Sequence, residues 1–239
     1  MTALAATTTT KRASANFTAD PDPDTGRRRT SGALLILGAV GVIAGFLFNP
    51  VVDTPAQRLH AATAQATQIN LSCLIGTLGI VLLIPGLAGL SRALRFRARR
   101  LSTLGATITG AGFICLFVNF GVTAVVLELS KAKVDRSAAL ALVDRMESHS
   151  LIFAVTTAIF ILGHLLGPIL LGIALARSRY VPTWSALLLP LGAVGHFLSH
   201  AINSRPLDVV AFVALGIGFA VAGLSMITTP VIEDVAGHR

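Results

Sequence analysis

Charged side chains make up only 13% of these 239 residues, cysteine occurs twice, and tyrosine and tryptophan occur once each. So little charge, beside 54% hydrophobic residues and a mean hydropathy of +0.77, excludes an ordinary soluble domain of this length. No Walker loop, no GxSxG and no CxxC occurs, so the familiar signatures of phosphate-binding, serine-nucleophile and dithiol chemistry are missing. Cys73 falls near one end of an apolar segment and Cys115 nearer the middle of the next. Those depths are too different for a disulfide, and each reads as a free, small, apolar side chain.

What the chain does have is apolar length. A helix needs roughly 20 apolar residues to cross a hydrocarbon core of about 30 Å. Six windows qualify, at 32–49, 69–90, 101–128, 150–176, 183–202 and 207–229. They predict an all-α, polytopic membrane bundle of six transmembrane helices over residues 32–229, followed by a short cytoplasmic tail at 230–239. Residues 1–31 are Thr-rich, then acidic in ADPDPD, then basic at Arg27, Arg28 and Arg29. With almost nothing to bury, they read as a disordered cytoplasmic tail. A basic cluster ahead of an apolar segment imitates a targeting sequence, but the lead is long and FLFNPVVDTPAQ offers no small-x-small cleavage site. The first segment therefore reads as an uncleaved signal anchor.

A formal net charge of +8 would suggest nucleic acid in a soluble protein, so its distribution matters more than its sum. With the amino terminus inside, thirteen basic and five acidic residues fall in cytoplasmic parts, against six of each in the outer loops. The whole excess lies on one side. The positive-inside rule reads this as orientation, with both termini cytoplasmic in a plasma-membrane protein, and it removes nucleic acid as a partner. Arg92, Arg95, Arg97, Arg99 and Arg100 crowd one loop, where they set topology and can hold anionic lipid headgroups at about 1 kcal/mol each. The bilayer is thus the first partner. Tyr180 and Trp184 fall at the same boundary, where amphipathic rings are favoured.

Glycines at one- and two-turn spacings, such as Gly38, Gly41 and Gly45 or Gly76, Gly79 and Gly86, predict close helix packing. Pro85, Pro168 and Pro190 should kink three of the spans. In the segment DTPAQRLHAATAQATQIN, Thr54 is a candidate N-cap, Pro55 suits the first helical position and Gln57 completes a capping box. DRSAALALVDRMESHS is also helix-prone. Together the two segments suggest a partial outer cap.

The strip LGIALARSRYVPTWSALLLPLGAVG, from Leu171 to Gly195, resembles uncharacterised six-helix bacterial integral membrane proteins of the domain-of-unknown-function type. The shared features are a small-residue helix ending in arginines, then Val-Pro-x-Trp, then a Leu/Gly-rich helix. Ser185 and Ala186 depart mildly from the small-residue-then-glycine usual after the Trp. The resemblance implies a membrane location and six helices, and it implies no reaction.

Ionisable groups inside a membrane cost several kcal/mol unless satisfied, so they are the most informative polar positions. His196 and His200 lie four apart on the fifth span and face the same way. At 1.5 Å per residue they fall about 10 Å and 4 Å below its outer end. Glu128, His149, His60 and, deeper, Asn119 share that side, giving a candidate polar pocket or metal site of His196, His200, His149, Glu128, Asn119 and His60. Two imidazoles so placed can hold a zinc-like divalent metal if a third ligand closes on them. The competing reading is polar glue, with both rings bonded to Asn119, Ser199 or backbone. His164, placed about 20 Å from its own helix end, is expected to stand apart, bonded to a carbonyl freed by Pro168. Three function classes follow: an accessory protein or small transporter with a polar outer-leaflet pocket for a small-molecule or lipid ligand, a metal-dependent enzyme with an external His site, and a lipid-binding scaffold acting through Arg92 to Arg100.

Overall fold

The computed structural model describes residues 23–50, 54–132 and 134–229. Eight helices follow in order: α1 (Pro23–Phe48), α2 (Pro55–Ala64), α3 (Ala66–Ala93), α4 (Arg99–Lys131), α5 (Arg136–Ser148), α6 (Leu151–Ser178), α7 (Thr183–Ala201) and α8 (Arg205–Thr228). No strand occurs among the described residues. Five of the helices, α1, α3, α4, α6 and α8, are long and apolar enough to cross a membrane, so the chain is a helical membrane protein. The window that falls short of the expected six is α7. It has 19 residues, and Thr183, Trp184, Pro190, Ser199 and two histidines dilute its apolar content.

Helix α1 begins at Pro23, inside the stretch read as tail. Proline suits a first helical turn, Asp24 complements the positive end of the helix dipole, and arginine propagates a helix well. Arg27, Arg28 and Arg29 therefore ride on the first turns of α1. Residues 1–22 and 230–239, the remainder of both expected tails, lie outside the described residues.

Small residues set the packing. Gly38 meets Leu83, Gly41 meets Gly79 and Gly45 meets Gly76, so partners fall in number on α3 as they rise on α1 and the two helices run antiparallel. A Cβ built on Gly41 would sit 2.7 Å from the Gly79 Cα. Helices α4 and α6 close in the same manner through Gly112 against Gly163 and Thr109 against Gly167. Lipid supplies no hydrophobic drive for helix association, so contact between backbones has to do that work. The interior is filled by Leu35, Leu83, Phe113, Leu175, Leu189, Phe219 and Met226. Other large apolar side chains, including Leu37, Leu74, Leu191 and Val210, face outward. Such a perimeter would drive aggregation in water and matches a hydrocarbon solvent.

The two ends of the bundle differ in charge. At one, the Arg97 guanidinium donates to the Ser178 carbonyl at 2.9 Å, bringing the α3–α4 connection to the α6–α7 turn. Tyr180 lies in that turn; burial pushes its phenol up, and the charge of Arg28 on α1 draws it partly back. The arginine-bearing start of α1 therefore belongs to this basic end too. The opposite end is covered. Thr54 Oγ1 accepts from the Gln57 N–H and the Gln57 side chain accepts from the Thr54 N–H, both at 3.2 Å, which is the capping box expected there. The chain breaks at Gln65 between α2 and α3 and does not run straight into the span. Asp135 caps α5; the Ser137 hydroxyl, then the Ala138 N–H, hold its carboxyl below the ordinary aspartate value. Arg58 of α2 and Glu147 of α5 pair at 2.6 Å, and Leu59, Ala62 and Val143 pack on Val122 and Val126 of α4. The two helix-prone segments thus form one cap.

Candidate functional site

Beneath that cap, α7 turns sharply into α8. Asn203 adopts a left-handed backbone with φ 51°, which asparagine tolerates better than most residues. The Ser204 N–H donates to the Ser199 carbonyl at 2.8 Å and the Asn203 N–H to the His200 carbonyl at 3.3 Å. This is a Schellman closure of the helix end. Because the turn is so short, Asp208, in the first turn of α8, comes back alongside the last turns of α7.

Asp208 organises the polar wall. Its Oδ1 lies 2.5 Å from His196 Nδ1 and accepts from Ser199 Oγ at 3.1 Å, while its Oδ2 accepts from Arg205 at 3.2 Å. The residue is only 5% exposed, and a carboxylate taken that far from water needs such partners. Its place in the first turn of a helix adds a favourable dipole interaction. Arg205 continues the network to α1: it donates to the Phe46 carbonyl at 3.4 Å and lies 4.2 Å over the Phe46 ring. Phe46 in turn stacks on Phe212 at 4.0 Å.

A row of imidazoles runs inward from this wall. The His200 and His196 rings are 4.8 Å apart and the His196 and His164 rings 4.9 Å. His164 is 4% exposed and sits among Phe113, Phe160 and Phe212 at 5.3 to 5.5 Å. Neither of its ring nitrogens has a hydrogen-bond partner. These groups face a cavity of about 540 Å³, whose other walls include Asn119, Phe120, Thr157, Phe160, Ile161 and Leu165. Its size lies in the range of small-molecule sites, and its mixture of apolar surface with a few convergent polar groups is typical of them.

Of the residues singled out from the sequence, His196, His200 and Asn119 line this cavity. The other three do not. Glu128 is exposed and pairs with Lys131 at 2.7 Å; His149 is exposed at the C-cap of α5; His60 is exposed on α2, whose inward face carries Arg58, Ala61 and Ala62 instead. The arginines Arg92, Arg95, Arg97, Arg99 and Arg100 are gathered at the opposite, basic end. Among them, Arg95 lies 4.5 Å over the exposed ring of Phe96.

His164 corrects two expectations. It is not held by a carbonyl near Pro168, and it does not stand apart from His196. Depth counted from outer helix ends misleads, because those ends are not level. Counted from the shared α6–α7 turn, His164 lies fourteen residues before Ser178 and His196 thirteen after Thr183, about 20 Å in each case. In the sequence Asp208 and Arg205 show only as two of the charges of the outer loops. The signal that could have found Asp208 is the Arg-Pro start of α8, which puts an acid three residues on into the first helical turn.

No curated protein and no solved structure matches the chain. A family model does, over residues 30–229, which takes in every wall of the cavity. The chain belongs to the family described as a domain of unknown function, DUF4386.

Proposed function

We propose that this is a six-span plasma-membrane protein, with both termini cytoplasmic, that takes a small amphipathic molecule into the cavity under its outer cap. It would act as an accessory protein or small transporter. The observation that carries the reading is the cavity itself: about 540 Å³, with the Arg205–Asp208–His196 wall on one side and Phe160, Ile161 and Leu165 on another. A ligand with a polar head and an apolar body suits such walls. Counting α7 as a span supports the orientation. Helix α7 leaves the basic end, where Arg97 touches Ser178, and ends at the turn beneath the cap, where Arg205 meets the Phe46 carbonyl; as a crossing it makes the total even, which puts both termini on the arginine-rich face.

Orientation is checked by cysteine accessibility in intact cells, in a background with Cys73 and Cys115 replaced. Ser137→Cys in the cap is expected to react with a membrane-impermeant maleimide, and Phe96→Cys only after permeabilisation. The reverse pattern would overturn the orientation. Ligand binding is checked by native mass spectrometry of protein extracted in mild detergent. A discrete small-molecule adduct is expected on the parent and is expected to be lost in Thr157→Trp, which fills the cavity from α6. An adduct-free parent, or an adduct that survives in the folded variant, would sink the reading.

A further inference from the structure

We infer that the outer end of the imidazole row is a binding site for a first-row divalent transition metal, with His196, His200 and Asp208 as ligands and His164 directly behind His196 on the cavity side. This deepens the reading of the cavity and rests on it only in requiring that solutes reach the site.

Three observations converge. One ligand atom each from His196, His200 and Asp208 lies within 4.8 Å of the others, so a small inward adjustment would bring all three onto one ion. The His196–His200 ring separation of 4.8 Å matches the spacing of about 5 Å that two imidazoles adopt on one tetrahedral ion with metal–nitrogen bonds near 2.0–2.1 Å. The third observation is independent of the cluster. His164, at 4% exposure, has both ring nitrogens unpartnered while it lines the cavity beside His196. A buried polar group without a partner is costly, and this one points to a ligand arriving through the cavity.

The donor set selects the metal. Imidazole nitrogen with one carboxylate oxygen suits Zn²⁺, Co²⁺, Ni²⁺ or Cu²⁺ and disfavours Mg²⁺ and Ca²⁺, which take oxygen ligands. Arg205, bonded to Asp208 Oδ2 at 3.2 Å, fixes the carboxylate from behind, the support that ligating carboxylates require, while Oδ1, which also accepts from Ser199 at 3.1 Å, faces His196. In the metal-free state, a proton between His196 Nδ1 and Asp208 Oδ1 holds the place the ion would take. Metal binding at Nδ1 replaces that hydrogen bond, and the proton moves to Nε2 of the same ring or leaves to solvent.

The test is a titration of tag-free, chelator-stripped full-length protein in detergent with Zn²⁺, and separately with Co²⁺, followed by calorimetry and by the visible absorption of four-coordinate Co²⁺. One equivalent is expected to bind. His200→Ala, at an exposed position that should fold normally, is expected to weaken binding at least tenfold, and His196→Ala with His200→Ala to abolish it. His164→Phe, which removes the imidazole behind His196, is expected to retain Zn²⁺ binding at reduced affinity. Failure of the parent to bind one equivalent, or binding unchanged in folded His200→Ala, would overturn the site. Mg²⁺ binding as tightly as Zn²⁺ would do the same. Because Zn²⁺ is titrated alone, a negative result leaves the organic adduct on the parent to be judged separately.

Discussion

Replacing Asp208 with alanine lowers the stability of the folded bundle by about 3 kcal/mol, the lower end of the range for removing one partner of a buried charged pair. Three groups lose their acceptor at once: the His196 ring, the Ser199 hydroxyl and the Arg205 guanidinium. Ser199 recovers part of its loss through the bond it already makes to the His196 carbonyl at 2.6 Å. Arg205 recovers less. Its side chain is 33% exposed, so water screens some of its charge, but Phe46 and the first turn of α8 restrict where it can go. The measurement is reversible unfolding in mixed micelles of the parent, Asp208→Ala, Arg205→Ala and the double variant. A coupling of about 1 kcal/mol between Asp208 and Arg205 is expected, since side chains in one hydrogen-bonded network do not act additively. Asp208→Asn, which keeps acceptor capacity and loses charge, should fall between alanine and the parent. An Asp208→Ala protein as stable as the parent would mean that the network in the cavity wall holds nothing together.

How much of this site could be read in the sequence depends on whether the informative quantity runs along a helix or around it. Position along a helix follows from residue number, and five of the six expected spans, the Thr54–Gln57 box and the His196–His200 pair were legible in that way. Direction around the helix is not supplied by depth. Glu128, His149 and His60 were placed at a suitable level, yet each faces away from the cavity, because Glu128 turns to Lys131 and the break at Gln65 sets α2 in its own orientation. Depth also has to be measured from the right reference. The α6–α7 turn is a common origin for His164 and His196, whereas the far ends of the two helices are separate origins. Asp208 was hidden for a third reason: a charge at a span boundary looks solvated until the tight Asn203 turn is known to fold α8 back onto α7. The absence of a recognisable activity has a different root. A cavity is a property of spaces between helices, and no single stretch of chain encodes it.

The other large effect is expected away from the polar wall of the cavity, at the α1–α3 contact. A Cβ at Gly79 would lie 2.5 Å from the Val42 nitrogen, 2.6 Å from the Gly41 carbonyl carbon and 3.0 Å from the Gly38 oxygen. All three are backbone atoms, so no side chain can rotate out of the way. The helices must separate, and the neighbouring close contacts at Gly38–Leu83 and Gly45–Gly76 loosen with them. Gly79→Ala is therefore expected to cost about 2–3 kcal/mol, at the upper end for overpacking, and Gly79→Leu to prevent folding. Helix propensity alone argues the opposite, since alanine is favoured over glycine by about 1 kcal/mol within a helix. The two arguments separate at Gly121 of α4, where nothing lies within 4 Å of an added Cβ and only propensity acts. Gly121→Ala should leave stability unchanged or raise it slightly. Unfolding curves for the two alanine variants, measured side by side in the same micelles, decide between backbone contact and propensity. Equal behaviour at Gly79 and Gly121 would mean that this close backbone approach is not what holds α1 to α3.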